Sequence, residues 1–179
     1  GAGIKRALRT DLSQEIFCNS KNRRARKIKE DMGFKRSEHL SLGDKQKIAK
    51  RTLSEYFVSG NFVVEEEENL YTINVDLYLT KNAKKVNSFK YQGDDFFSLI
   101  DQASKQIKID MEIPLPYIEN TTDLPVNERL TNSMEALKHY VYSLHINEND
   151  ESMYHMKKAV EYDNKFALAH VYLYNNYNI

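Results

Sequence analysis

The chain of 179 residues has no tryptophan, one cysteine, three prolines and six glycines. A single cysteine, Cys18, excludes a disulfide within the chain, and its apolar neighbours predict a buried thiol. The scattered glycines form no loop of the kind that binds phosphate through backbone amides. No hydrophobic run has the length of a membrane span, and no signal peptide is visible.

The chain also lacks net charge, because its 26 basic and 26 acidic residues cancel. The distribution is uneven, however: residues 1–53 hold fifteen Lys or Arg against six Asp or Glu, and the remainder carries the opposite excess. Such a dipolar distribution would steer an acidic partner to one end of the molecule. Attraction between the two halves of the chain is the simpler interpretation.

The clearest regular pattern begins near residue 55. Residues 56–64 alternate between apolar and polar side chains, and residues 71–79 do so more cleanly after an acidic turn at 65–69. A period of two is that of a strand with one buried face, so we predict a long antiparallel hairpin. The four glutamates of the turn would lie in water and discourage pairing with another sheet edge.

A third strand is predicted over residues 86–91, and an amphipathic helix follows it. Either Asp94 or Asp95 is the expected N-cap of this helix, because a carboxylate there accepts bonds from free backbone amides. The apolar positions of the helix share one face: Phe96, Ile100, Ala103 and Ile107. Such a helix would cover one face of the sheet.

The first fifty residues give weaker signals. Apolar spacing predicts a helix over 4–15, and 16–19 form a short apolar run that suits a strand. A basic helix is predicted over 22–32, with Gly33 as its C-terminal stop. A shorter helix is predicted over 44–53, with Asp44 as its cap.

All three prolines fall within residues 112–127, together with a polar run, so we predict a linker there. Beyond it the apolar spacing is helical, with a turn at 147–150. We therefore predict an α+β chain, in which an α/β-like domain with a small mixed sheet occupies 1–111. A helical segment is predicted over 128–179, and a helical pair followed by a third helix is how repeat arrays begin.

The helical segment resembles a degenerate tetratricopeptide (TPR) repeat. The matching residues are Lys158-Ala159, Glu161-Tyr162-Asp163-Asn164 and Phe166-Ala167-Leu168-Ala169. Asn164 replaces the usual proline, and Met156 replaces an aromatic residue. Ser143 stands near the position where the first helix of the repeat usually has glycine.

Residues 4–109 resemble the TolB amino-terminal-like domain and the related flagellar FlgO-like group. The matching pieces are Thr10-Asp11-Leu12-Ser13, Asp31-Met32-Gly33, Lys47-Ile48-Ala49-Lys50-Arg51, Tyr56-Phe57-Val58-Ser59-Gly60, Ile73 to Leu79, and Tyr91-Gln92-Gly93-Asp94-Asp95-Phe96-Phe97-Ser98-Leu99-Ile100. A domain of this kind followed by TPR-like helices is similar to the outer part of bacterial receptors such as the CadC-type acid sensors and the receptor kinases and cyclases.

This resemblance implies a non-enzymatic sensor or protein-interaction region that lies outside the cytoplasm, in the periplasm or at the cell surface. Gly1 is not preceded by a methionine, and the chain ends within a helical pattern at Ile179. We therefore expect a piece of a longer protein whose membrane anchor and effector domain lie elsewhere. The alternatives are an envelope assembly lipoprotein of the FlgO-like kind, with no effector domain, and a cytoplasmic location.

One candidate site is the basic run from Lys21 to Lys29, which includes Arg23, Arg24, Arg26 and Lys27. It suits an anionic partner or an anionic lipid surface. No aromatic residue is interleaved for base stacking, so we expect no nucleic acid to bind. The ordinary interpretation is a solvated helix face.

Four of the five histidines lie in the helical segment: His139, His145, His155 and His170. Their spacings of six, ten and fifteen residues fit no metal motif, and we expect no metal site. Because imidazole titrates near neutral pH, pH sensing is one hypothesis. Ordinary surface histidines are the alternative.

Tyrosines are dense in the same segment. In a repeat array some of them would line a groove for a protein partner, where tyrosine gives contact area at low entropic cost. Our candidates for this groove are His139, Tyr140, Tyr172 and Tyr174. Packing between helices is the alternative role for these rings, and a homodimer is a further possible assembly.

The paired carboxylates Asp94-Asp95 and Glu30-Asp31 both fall at predicted helix ends. Nothing in the sequence sets either pair against a substrate for acid–base chemistry. Serine and histidine are present, but no motif places them as a nucleophile and its base. We therefore expect neither an enzyme activity nor a cofactor. The alternative is an enzyme whose site is divided between this chain and sequence outside it.

Overall fold

The computed structural model describes residues 22–34, 39–65, 67–120, 124–144, 146 and 148–177, with only the backbone at 22, 23 and 177. The chain divides near residue 121 into two compact units. Among the described residues, 22–120 form what we call the α/β unit and 124–177 form the helical unit. The helix predicted over 4–15, the strand predicted at 16–19 and Cys18 lie outside the described residues.

The α/β unit contains an antiparallel sheet of three strands in the order β1-β2-β3. The strands are β1 (Tyr56–Glu65), β2 (Leu70–Leu79) and β3 (Lys85–Gly93). Tyr56 pairs with Leu79 at the open end of the first hairpin. The predicted hairpin, the third strand and the α+β class are confirmed. In the described part of the chain the sheet is antiparallel throughout, whereas we expected a mixed sheet.

Helix α3 (Phe96–Asp110) covers one face of this sheet. Its apolar residues pack against the strongly apolar centre of β2, where Ile73, Val75 and Leu77 are at most 3% exposed. Asp95 is the N-cap, and its carboxylate accepts bonds from the amides of Phe97 at 3.0 Å and Ser98 at 3.2 Å. Of the two aspartates considered, it is therefore Asp95 that begins the helix.

Helix α2 (Leu42–Arg51) packs against β1. Its N-cap is Ser41 rather than the predicted Asp44, so the helix begins earlier than expected. The Ser41 hydroxyl accepts a bond from the Asp44 amide and donates one to the Asp44 carboxylate, so the two residues are joined by reciprocal bonds at the start of the helix. Sequence inspection misplaced the start because both residue types are good caps. Leu53, predicted to be in the helix, lies past its end at positive φ and is 75% exposed.

Helix α1 (Asn22–Asp31) packs on α2. As predicted, Gly33 stops the helix just beyond its last residue. Its φ of +81° is the left-handed conformation that glycine adopts without strain. The amides of Gly33 and Phe34 bond back to the carbonyls of Glu30 and Lys29. These bonds satisfy the last carbonyl groups of the helix.

The predicted linker at 112–127 is largely helical. Helix α4 (Leu115–Asn120) belongs to the α/β unit, and α5 (Val126–Arg129) belongs to the helical unit. The prolines begin these helices instead of preventing them, since the first turn of a helix does not need their missing amide. The carbonyl of Pro114 accepts the amide of Ile118 at 3.1 Å, and that of Pro125 accepts the amide of Glu128 at 3.0 Å.

The helical unit continues with α6 (Met134–Ser143), α7 (Asn149–Tyr162) and α8 (Ala167–Tyr177). Ser133 caps α6 by accepting a bond from the Ala136 amide at 3.1 Å. The core of this unit is made of small and flexible side chains around two rings, all at most 3% exposed: Ala136, Tyr140, Met156, Ala159, Phe166 and Ala169. Among the described residues, no helix is both long and apolar enough to cross a membrane.

Candidate functional site

Helices α6 and α7 form an antiparallel hairpin that brings the imidazole rings of His139 and His155 into contact through their Nδ1 edges. Their Nδ1 atoms are 2.7 Å apart, and their ring centroids are 5.0 Å apart with an angle of 29° between the planes. Two imidazole nitrogens at this distance share one proton, since a neutral ring carries a proton on only one of its nitrogens. One histidine therefore donates and the other accepts.

Small polar residues let α6 and α7 lie close together next to the histidine pair. The buried hydroxyl of Ser152 donates to the carbonyl of Ser143 at 3.0 Å, and the Ser143 hydroxyl donates to the carbonyl of Tyr140 at 2.7 Å. Both serines are at most 3% exposed, so these bonds lie inside the hairpin. Of the two, only the bond from Ser152 to Ser143 joins the two helices, and it holds them together close to the histidine pair.

Three tyrosines surround the histidine pair. Tyr162 stacks on His139 with centroids 5.5 Å apart, whereas Tyr142 and Tyr154 meet His155 edge to face at 4.5 and 5.2 Å. Each tyrosine is still 53–55% exposed. We call these five residues the His–Tyr surface. It is a group of rings that support one another while keeping about half of each tyrosine in water.

Charged residues flank the His–Tyr surface. On α6, Lys138 contacts Glu135 at 2.6 Å, and on α7, Lys158 pairs with Glu161. Both pairs are well exposed to water, so each contributes little to stability. The Nζ atom of Lys158 also lies 5.9 Å from the centre of the Tyr154 ring, within the range of a cation–π contact.

A shallow depression of about 320 Å³ opens beside the histidine pair. It is lined by Glu135, Lys138, His139, Tyr142 and His155. Partial burial lowers the pKa of His139 below the ordinary imidazole range, and the neighbouring His155 lowers it further, against the opposing effect of Glu135. His139 is therefore mainly neutral at pH 7.

The structure does not bring the four predicted groove residues together. The prediction that Tyr140 contacts a partner was wrong, because Tyr140 is 3% exposed and packs on Phe166 with centroids 4.8 Å apart. Tyr172 is partly buried, and its hydroxyl bonds that of Ser152 at 2.9 Å. Tyr174 is 70% exposed on α8. Of the four, only His139 belongs to the His–Tyr surface.

The predicted basic patch lies on α1. Arg24, Arg26 and Lys27 are exposed there, and the side chain of Arg23 lies outside the described residues. Exposure agrees both with a solvated helix face and with an anionic partner. The patch therefore stays a prediction.

The pairing of His139 with His155 was missed because their separation of sixteen residues matches no local motif. A signal was present, however. The two histidines lie equally far on either side of residue 147, where the predicted turn begins. Residues on either side of such a turn lie on facing helices, so the predicted turn places the two histidines on adjacent helices, while the exact position of the turn decides which residues are opposite.

No protein-family model, curated protein or solved structure matches this chain.

Proposed function

We propose that the chain is a non-enzymatic protein-interaction region of a membrane-anchored bacterial signalling protein, that it lies outside the cytoplasm, and that a protein partner binds the His–Tyr surface. The order of elements along the sequence, with its resemblance to TolB-type and TPR-type patterns, supports the first two parts. The exposed tyrosines around the histidine pair support the third, and they are the observation that carries the proposal.

Tyrosine rings in this arrangement suit a partner interface for two reasons. A half-exposed ring leaves apolar area that a partner can bury, and tyrosine is enriched among residues that dominate binding energy. The rings are also held by their neighbours: Tyr162 lies against His139, and Tyr142 lies against His155. A surface already ordered in this way loses less conformational entropy on binding.

A photo-cross-linking amino acid placed in the parent protein, in its own cells, tests the surface directly. We expect cross-linking from positions 154 and 162 to one defined protein. Tyr142→Ala should remove that product, because Tyr142 would be part of the same contact. Position 174 is the matched control, since Tyr174 is at least as exposed but lies on α8.

The control position also separates this proposal from the groove predicted from sequence. Cross-linking from position 174 alone would favour a groove that includes α8 and would contradict the His–Tyr surface. Equal cross-linking from all three positions would show nonspecific proximity, and it would also contradict the proposal. If the cross-linked product still forms in the Tyr142→Ala variant, the contact with the partner is confined to α7.

The location has its own test. Alkaline phosphatase fused after the helical unit in the parent protein becomes active only outside the cytoplasm, where its disulfides form. We expect an active fusion. An inactive fusion made in normal amounts would contradict the proposed location, while leaving the partner surface to the cross-linking experiment.

A further inference from the structure

We infer that His139 and His155 are the ligand pair of a binding site for a divalent transition-metal ion such as Zn²⁺. The inference goes beyond the proposed function and does not rest on it. Two imidazole nitrogens from different helices point at each other across 2.7 Å at the protein surface. Neutral imidazole is the commonest metal ligand in proteins, and the pair lies beside a depression that is open to water.

The geometry needs only a small adjustment. Zinc binds histidine nitrogen at about 2.0–2.1 Å, so two nitrogens on one tetrahedral ion are separated by roughly 3.3–3.4 Å. Both side chains are only partly buried. Rotations about their side-chain bonds must open the contact by roughly that difference and turn each Nδ1 lone pair from the other ring toward the ion. The backbone of the hairpin, fixed by the Ser143–Ser152 contact, can stay in place.

The proton balance is simple. Without metal, one ring carries its proton on Nδ1 and donates it to the other. When the ion binds both Nδ1 atoms, that proton moves to Nε2 of its own ring. In that ring the Nδ1–H bond breaks and an Nε2–H bond forms by exchange with water, and the ion gives up bound water for the two nitrogens. Both imidazoles stay neutral, and no net proton is released.

Glu135 is the nearest candidate for a third ligand. It lies four residues before His139, on the same face of α6, and it lines the same depression. The ion pair between Glu135 and Lys138 is exposed and contributes little stability, so Glu135 can give it up for a metal ion at little cost in free energy. Within the described residues, no three potential ligands are already grouped. The site is thus completed by water or by Glu135 as the ion binds.

The test is a calorimetric titration of Zn²⁺ alone into the 179-residue chain at pH 7.5. We expect one equivalent to bind to the wild type. His139→Gln and His155→Gln should each weaken binding by roughly tenfold or more, since loss of even an outer partner of a metal ligand costs about 10–100-fold. Glu135→Gln should have a smaller effect.

His170→Gln is the matched control. His170 is an exposed histidine of α8, and its Nε2 lies 2.8 Å from the carbonyl oxygen of Asn164, away from the pair. Its replacement should leave Zn²⁺ binding unchanged. Zn²⁺ should also raise the melting temperature of the wild type and of His170→Gln, because an ion that binds only the folded state stabilises it.

Three results would overturn the inference. The first is a wild type that takes up no stoichiometric Zn²⁺. The second is equal binding by the wild type and His139→Gln, with both shown to be folded by circular dichroism. The third is a loss of affinity in His170→Gln as large as that in His155→Gln.

Discussion

The two units of this chain use their aromatic residues in opposite ways. In the α/β unit, rings lie inside: Tyr71 and Phe96 are at most 9% exposed, and Phe62 meets both at centroid distances of 5.9 and 5.7 Å. In the helical unit, Tyr142 and Tyr154 lie outside and contact a histidine pair. Aromatic rings therefore fill the core of the α/β unit, whereas in the helical unit Tyr140 and Phe166 are buried and three tyrosines form a surface.

This difference has a physical reason. The sheet offers a broad apolar face that large rings fill. The helices of the second unit approach closely through Ser143 and Ser152, at most 3% exposed, and through Ala136 and Ala159, which are fully buried. A core of small residues leaves no room for most of the tyrosines, so they remain at the surface, where a partner can bury them.

The largest expected losses of stability come from replacing an aromatic ring that is buried in either unit. Phe96→Ala and Phe166→Ala should each cost about 3–5 kcal/mol of stability, because each removes a buried ring and leaves a cavity. Hydrogen exchange should show the loss in the α/β unit for the first variant and in the helical unit for the second. An equal loss of protection in both units from either variant would contradict the contrast between the two cores.

A smaller effect is expected at the start of α3. Asp95→Ala removes the bonds to the amides of Phe97 and Ser98 and should cost about 1 kcal/mol. Asp94→Ala is the matched control, since Asp95 and not Asp94 is the N-cap. Urea unfolding of the two variants measures the difference, and equal losses would show that Asp95 is not the cap.

The histidine pair should make the helical unit sensitive to acid. The pKa of His139 is lowered in the folded chain, so the unfolded chain accepts the proton first as the pH falls. Stability is therefore full above the ordinary imidazole pKa of about 6.5. It declines below that pH and levels off once the folded chain is also protonated.

Thermal unfolding between pH 5 and 8 in the presence of a chelator measures this decline. His139→Gln should flatten the pH dependence of the melting temperature, whereas His170→Gln should leave it as in the wild type. A wild type whose stability is constant over this range, or rises in acid, would contradict a lowered pKa for His139.

The smallest expected change in stability is at the exposed tyrosines. Tyr154→Ala should alter the free energy of unfolding by less than about 0.5 kcal/mol, as is usual for surface substitutions. The same variant should lose most of the affinity for the protein that cross-links at position 162. A loss of stability comparable to that of Phe166→Ala would place Tyr154 in the core and remove the contrast between the units.

The sequence predicted the sheet better than the site. Alternating residues in β1 and β2 predicted two strands joined as a hairpin, because a period of two is that of a strand. The helix starts were less certain, because Ser41 and Asp44 are both good caps and only the packing of α2 decides between them. The prolines at 112–127 fall where the chain divides into two units, but they did not reveal α4 and α5, since proline breaks the interior of a helix but can begin its first turn.

The site was harder to predict because it depends on residues that are distant in sequence. Tyr140 and Tyr142 are two positions apart on one helix, yet one is buried and the other is half exposed. Their roles follow from the direction in which α7 packs, which composition does not reveal. His139 was recognised as a candidate, but its contact with His155 needed the register of the hairpin.

The contact between His139 and His155 underlies both the proposed partner surface and the proposed metal site, and NMR of the imidazole nitrogens tests it most directly. At pH 7.5 with a chelator, we predict that the ¹⁵N shifts show one protonated Nδ1 in the pair, with nuclear Overhauser effects between the rings of His139 and Tyr162. Two rings both protonated on Nε2, with no such effects, would show that the surface is not formed.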